Sequence, residues 1–277
     1  MASISLGFST VCLGNASAEE TIELARRLDF DHLEIPYEAP FLMFGNEDIC
    51  TTAETIKDLL ATYGLNNILH APHKNLNFSS YHPEVQKLSI TLTKRAIDVA
   101  NILKSSLVTL HCGKSPFNQN PTPTDIKLTK FAIKECLSYS NPQKVKLAIE
   151  NAEYATRNLC KSINEIQDLL SEFSILLVTL DTSHCLDHKL DISEITNFIH
   201  HFQNRIRNVH LSLTAHSPLI SNSQLALDLL EILVQKLGEE TFITLELHDQ
   251  MINGSVSETL SADKELVKDV LKNLKLF

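Results

Sequence analysis

Eight short apolar, β-rich runs recur along this chain, and each is followed by a stretch with helical periodicity. The runs are Ile4–Phe8, His32–Ile35, Asn67–His70, Leu107–His111, Lys146–Glu150, Ile175–Asp181, Asn208–Leu213 and Phe242–Leu247. Several are unbroken hydrophobic stretches without alternation, ILLVTL being the clearest, as expected of parallel strands buried on both faces. Between them, Ser17 and Glu20 carry a capping-box pattern ahead of Ile22, Ala25 and Leu28. Thr52–Tyr63 places Ile56, Leu59, Leu60 and Tyr63 on one stripe, with Gly64 as its stop. Val85, Leu88, Leu92, Ala96, Val99 and Leu103 follow at steps of three or four. Ile163–Phe173, Ile192–Phe202, Leu225–Leu237 and Leu266–Leu274 repeat the theme, and Thr124–Leu137 does so less cleanly. Eight strand–helix units in 277 residues predict an α/β fold closed into a single (β/α)8 TIM barrel, one domain over residues 1–277. An open dinucleotide-binding sheet would want a GxGxxG turn after a strand, and the chain has none among its seven glycines.

Composition narrows the partners. The longest apolar runs fall far short of the ~20 residues a membrane helix needs. The N-terminal MASISLGFST has no basic residue ahead of its apolar stretch, so it does not read as a secretory signal, and a cytoplasmic location is expected. With 24 cations against 34 anions, a net of −10, a general nucleic-acid footprint is absent. Cys12, Cys50, Cys112, Cys136, Cys160 and Cys185 include no CxxC pair and are expected to be reduced, mostly core-filling thiols without a disulfide framework. Nothing in the sequence specifies an oligomer.

In such barrels the reactive groups sit at the C-terminal ends of strands. Those ends carry Glu34, His70, His111, Glu150, Asp181, His210 and Glu246, spaced 29 to 41 residues apart, with His184 three residues beyond Asp181. Each closes an apolar run, where a carboxylate or imidazole is costly unless paired or bound to metal. Converging on one rim, they form a ligand set for zinc, manganese or iron, and they outnumber the donors one ion accepts. Either more than one ion is held, or some of these residues meet substrate. His73, three residues past His70, and His216, in the loop after His210, are within reach of the same rim, as is His248. His32, His82, His188, His200 and His201 are expected to be solvated or capping residues. Lys74, Lys114 and Arg157 lie in loops after strand ends and read as surface charges rather than phosphate clamps.

The segments HAPH (70–73), LVTLHCG (107–113), LAIENAE (147–153), LVTLDTSH (177–184), RNVHLS (207–212) and ITLELH (243–248) resemble the motifs of the xylose isomerase-like barrel superfamily. That superfamily holds sugar isomerases and epimerases as well as endonuclease IV-type enzymes acting on abasic DNA. The resemblance to the isomerase branch implies a metal, usually Mn²⁺, on Glu150, Asp181, His210 and Glu246, with His184 contacting substrate. The resemblance to the endonuclease branch implies up to three Zn²⁺ ions. His70, His111 and a bridging Glu150 would hold one, and Asp181, His210 and Glu246 a second. His184 with an Asp-x-His pair would hold the third. If His216 matches the end of that pair, Thr214 stands where its Asp belongs and supplies no carboxylate.

Both chemistries use these groups. For isomerisation, a metal polarises a carbonyl or hydroxyl, and Glu150 and Glu246, on opposite sides of the barrel, could serve the two faces of a planar enediolate. For phosphodiester hydrolysis, two ions would share a hydroxide. From Asp29 to Thr55 the chain has no Lys or Arg but carries Asp29, Asp31, Glu34, Glu38, Glu47, Asp48 and Glu54. A DNA backbone with one charge per ~1.7 Å would be repelled there. The reading is therefore a metal-dependent isomerase or epimerase of a small sugar or sugar phosphate, with Glu150, Glu246 and His184 catalytic and one to three ions bound. The alternative is a zinc phosphodiesterase of the endonuclease IV type. A binding or regulatory barrel is a third class, whose signal would be loss of Glu150 or Glu246, and both are present.

Overall fold

The computed structural model describes residues 4–14, 16–38, 42, 49–187, 192–237 and 240–273. Eight parallel strands close on themselves in sequence order: β1 (Ser5–Ser9), β2 (His32–Pro36), β3 (Asn66–His70), β4 (Leu107–Leu110), β5 (Lys146–Glu150), β6 (Leu177–Asp181), β7 (Ile206–Leu211) and β8 (Phe242–Leu245). Closure is made by β8 against β1, with Ser5 opposite Phe242 and Phe8 opposite Leu245. The helices are α1 (Ala18–Arg27), α2 (Ile49–Tyr63), α3 (Pro83–Leu103), α4 (Pro123–Ser140), α5 (Ile163–Glu172), α6 (Thr182–Asp187), α7 (Ile192–Phe202), α8 (Ser223–Lys236) and α9 (Val256–Asn273). Among the described residues no helix is long and apolar enough to cross a membrane.

Local chemistry sets the helix boundaries. Ser17 and Glu20 form a reciprocal capping box at the start of α1, and Thr122 and Asp125 do the same for α4. Gly64, at φ 69°, follows α2 in the left-handed conformation that glycine adopts without steric cost. The six-residue α6 is too short for a periodicity to announce it, and it carries His184.

Alternation along the strands divides the core. One set of side chains, including Leu33, Ile35, Val209 and Leu211, is fully buried against the helices. The other set fills the barrel interior: Ile68, Leu107 and Ala148 make an apolar cluster, flanked by Leu177 and Phe242. Higher up, Thr109 and Thr179 join hydroxyls at 3.0 Å across the interior.

Two expectations are corrected here. Cys112 and Cys160 form a disulfide 48 residues apart in sequence, because β4 and β5 are neighbours and bring their following loops together. The cysteines therefore give no argument for a reducing compartment. Cys12, Cys136 and Cys185 are buried free thiols. His32, expected at the surface, is fully buried inside the barrel. Its ring is housed by Gly7: a Cβ there would stand 2.5 Å from the His32 ring and 2.3 Å from its carbonyl oxygen. His82 and His201 are exposed, and His188 lies outside the described residues.

Candidate metal centre

The C-terminal strand ends deliver the predicted side chains to one cluster. Glu150 ends β5, Asp181 ends β6 and faces His210 in register on β7, and Glu246 directly follows β8. His70 ends β3, and His111 directly follows β4.

Glu150, Asp181, His210 and Glu246 bring one donor atom each into a group in which all lie within 4.8 Å of one another. His210 Nδ1 is 2.9 Å from Glu246 Oε2, 3.6 Å from Glu150 Oε1 and 3.7 Å from Asp181 Oδ2. These spacings are close to the ~3.4 Å edge of a tetrahedron of donors about 2.1 Å from a common ion. His210 Nδ1 and Asp181 Oδ2 are also fully buried without a hydrogen-bond partner. Two such atoms facing each other are costly, and a cation between them would satisfy both. The donor set of one imidazole and three carboxylates suits Mn²⁺ or Zn²⁺.

A second group adjoins it. His70 Nε2 and His111 Nε2 lie 3.2 and 3.3 Å from Glu150 Oε2 and 3.3 Å from each other. His70 Nδ1 donates to the Ala71 carbonyl at 2.8 Å, which leaves Nε2 to face Glu150. Glu150 thus presents one oxygen to the His70–His111 pair and the other to His210 and to His184, whose Nδ1 is 3.4 Å away. His73 stacks on His111 with ring centroids 4.4 Å apart, and His70, His73 and His111 form a three-imidazole group.

Asp181, His184 and His216 make the third group, and all three are buried. His184 Nδ1 donates to the Asn151 carbonyl at 2.8 Å, and its backbone N–H donates to Asp181 Oδ1. His216 reaches the site through two consecutive non-glycine residues at positive φ, Ala215 (57°) and His216 (54°). The α6 helix holds this strained turn: Asp187 accepts the Ala215 N–H and Ser183 accepts the His216 N–H. His216 Nδ1 is 3.8 Å from Glu246 and 4.0 Å from Asp181.

Glu34, expected to meet substrate or an extra ion, stands behind the site. It is fully buried, and its Oε2 accepts from His210 Nε2 and Asn208 Nδ2, both at 2.9 Å. Sequence reasoning missed Asn208 and Asn151, since an Asn inside an apolar run carries no signature of its own.

The electrostatics follow from this crowding. Burial opposes charge on His70, yet its hydrogen bond to Glu150 and the nearby Glu34 hold its pKa up to about 9. Burial likewise opposes charge on His184, but Asp181 and Glu150 raise it to about 9. Burial also opposes charge on His210, where Glu246, Glu34 and Glu150 together hold the pKa well above the ordinary imidazole value. Burial alone would raise Asp181, but His184, His210 and His216 bring it down to about 2. Burial dominates at His111 and pushes it well below the usual range. The carboxylates of the cluster favour protons on His70, His184 and His210, positive charge that a bound cation would supply in their place.

The cluster floors a cleft of about 590 Å³ whose walls include Ser9, Thr10, Glu38, His73, Asn77 and His248. His248 stacks on His216 at 4.2 Å. Among the described residues Lys74 and Lys114 are the lysines lining this cleft, and no arginine does; Lys74 lies 3.5 Å from Glu38, which also accepts the His73 and Lys74 backbone N–H groups. Arg157 is turned away, donating to the Ser115 carbonyl. Of the acidic stretch read from the sequence, Glu47 and Asp48 lie outside the described residues.

This barrel and its strand-end cluster define a class: the chain belongs to the xylose isomerase-like TIM barrel family, whose sequence pattern matches residues 22–256. An uncharacterised protein of Methanocaldococcus jannaschii is 23% identical over 270 residues, covering 96% of each chain. Among solved structures, a D-tagatose 3-epimerase-like protein superposes with a TM-score of 0.81 at 20% identity, over 99% of this chain and 100% of the other. An L-ribulose 3-epimerase gives 0.80 at 15% identity, over 99% and 98%.

Proposed function

We propose that this chain is a divalent-metal-dependent epimerase or isomerase acting on a small sugar, with Glu150, Asp181, His210 and Glu246 as metal ligands. The observation that carries the reading is the pair of buried, unpartnered donor atoms, His210 Nδ1 and Asp181 Oδ2, set between Glu150 and Glu246 on the cleft floor. The sugar 3-epimerases named above share the fold and support the choice of reaction class.

A divalent ion held there would polarise the sugar's carbonyl and adjacent hydroxyl, acidifying the C–H of the hydroxyl-bearing carbon. Glu150, ionised by its histidine neighbours, and Glu246 approach the cleft from different strands. One carboxylate takes the proton from carbon as the C–H electron pair moves into an enediolate. The other, in its acid form, returns a proton to the opposite face and inverts the centre. His184, whose Nδ1 is committed to Asn151, keeps Nε2 for a substrate hydroxyl. Among the described residues the cleft wall offers as lysine or arginine only Lys74, which faces Glu38, and Lys114, and this sparse positive charge favours an unphosphorylated sugar over a sugar phosphate. The test is incubation of Mn²⁺- or Zn²⁺-loaded protein with a panel of ketopentoses and ketohexoses in D₂O. Epimer formation with deuterium at the inverted carbon is expected, and no exchange on any sugar would overturn the reading.

A second reading is favoured by one observation, the two-sided Glu150. Its separate approaches to the His70–His111 pair and to His210 fit a carboxylate bridging two ions, which is the arrangement for phosphodiester hydrolysis. Metal-dependent nicking of an abasic duplex at low salt would move the assignment to that chemistry.

A further inference from the structure

A continuous line of hydrogen bonds runs through the barrel interior from its N-terminal end to the candidate metal centre. Ser5 Oγ meets His32 Nδ1 at 2.9 Å, and His32 Nε2 meets Thr244 Oγ1 at 3.0 Å. Thr244 Oγ1 donates to Asn208 Oδ1 at 2.9 Å, Asn208 Nδ2 donates to Glu34 Oε2 at 2.9 Å, and Glu34 Oε2 accepts from His210 Nε2 at 2.9 Å. Ser5 is half-buried, and His32, Thr244, Asn208, Glu34 and His210 are fully buried.

The donor roles are determined link by link. A carboxylate only accepts, so His210 carries a proton on Nε2, which leaves Nδ1, on the side of Glu246, Asp181 and Glu150, as the nitrogen a metal would take. Thr244 spends its single hydroxyl proton on Asn208 and must accept from His32, so His32 holds its proton on Nε2. His32 Nδ1 then accepts from Ser5. From Ser5 onward each donor points toward Glu34. The amide of Asn208 stands in the middle and cannot pass on an excess proton, so the line orients groups rather than conducting protons. The interior is shaped for it: Gly7 clears the volume that the His32 ring fills, and Phe242 packs edge-on to that ring at 4.9 Å.

We infer that Glu34, Asn208, Thr244 and His32 are positioning residues that hold His210 in the tautomer and orientation needed to bind the metal, so that metal affinity is set in part from the far end of the barrel. This rests on the reading of His210 as a ligand. Outer-shell partners of ligating histidines are typically worth about 10–100-fold in metal affinity, and Glu34 stands in that position.

The test compares Thr244→Val with Thr244→Ser. Valine keeps the shape and removes both hydrogen bonds; serine keeps the hydroxyl and removes a methyl. Mn²⁺ affinity by calorimetric titration is expected to fall about 10-fold in the valine variant and to stay near wild type in the serine variant. Glu34→Gln, which leaves an acceptor but removes the charge, is expected to weaken binding by a similar factor. A purely packing role predicts the opposite order, serine worse than valine. That result, or wild-type affinity in the valine variant, overturns the inference. Glu246→Gln separates the two levels: if it leaves Mn²⁺ binding unchanged, the metal reading itself fails. The inference is then judged by hydrogen exchange of the His210 Nε2–H in the metal-free chain, which should quicken in valine and not in serine. Should the valine variant not fold, Ser5→Ala cuts the line at its half-exposed end. A two- to threefold loss of affinity is expected there, and no loss overturns the inference.

Discussion

Most of the site comes down to single residues placed where their cost must be met. Glu246 is the least buried of the four proposed ligands, at 13% side-chain exposure, so Glu246→Gln can be accommodated without unfolding. Turnover on an identified sugar should fall by at least about 10³-fold, given that it removes both a ligand and a proton-transfer group, while the melting temperature moves by only a few degrees. His32 makes a different prediction. Burial pushes its pKa down to about 3, below the ordinary value near 6.5. The unfolded chain therefore takes up the proton first, and stability falls as pH drops from 6.5 toward 3. Relative to His32→Gln, the wild type should lose about 0.7 kcal/mol more between pH 7 and 6 and about 1.2 kcal/mol more between pH 6 and 5, approaching about 1.4 kcal/mol per unit below that, read by denaturant unfolding at pH 7, 6 and 5. The strand-end cluster was legible because a carboxylate or imidazole closing an apolar run is conspicuous. His32 was not, because it opens its run, where an exposed turn residue and an inward-facing one look alike in the absence of the opposing Gly7.

At the scale of elements, the strands and most helices could be read from hydrophobic runs and 3.6-residue spacing; β5, for instance, spans Lys146–Glu150 as expected, and α7 spans Ile192–Phe202. The strands after which His111 and Glu246 fall stop one and two residues earlier, respectively, than the apolar runs suggest, since the ladder ends where the side chains turn to the cleft. What periodicity cannot carry is contact between loops. The Cys112–Cys160 disulfide ties the loop that begins at His111 to the loop between β5 and α5, alongside the Ser115 N–H to Arg157 carbonyl bond and the Leu159 N–H to Gly113 carbonyl bond. Its 48-residue span corresponds to about 4 kcal/mol of unfolded-chain entropy, an upper value because those loops pair by hydrogen bonds as well. Cys160→Ser, or reduction of the wild type, should lower the unfolding free energy by up to that amount, and an unchanged denaturant midpoint would show that the crosslink contributes nothing.

For the whole molecule, the closed ring of strands, with apolar side chains buried both inside it and against the helices, leads us to propose one cooperative unit over residues 1–277, so calorimetry should show a single transition whose calorimetric and van't Hoff enthalpies agree. The barrel gathers groups from strands β2 to β8 at one end, and that convergence, rather than any one motif, makes the metal reading. It is tested most directly by elemental analysis of protein loaded with Mn²⁺ or Zn²⁺ and then desalted. One tightly held ion per chain, lost in Glu246→Gln, is the predicted result. Two or three ions would make His70 and His111 ligands and favour phosphoester hydrolysis, and no retained ion at all would contradict the account.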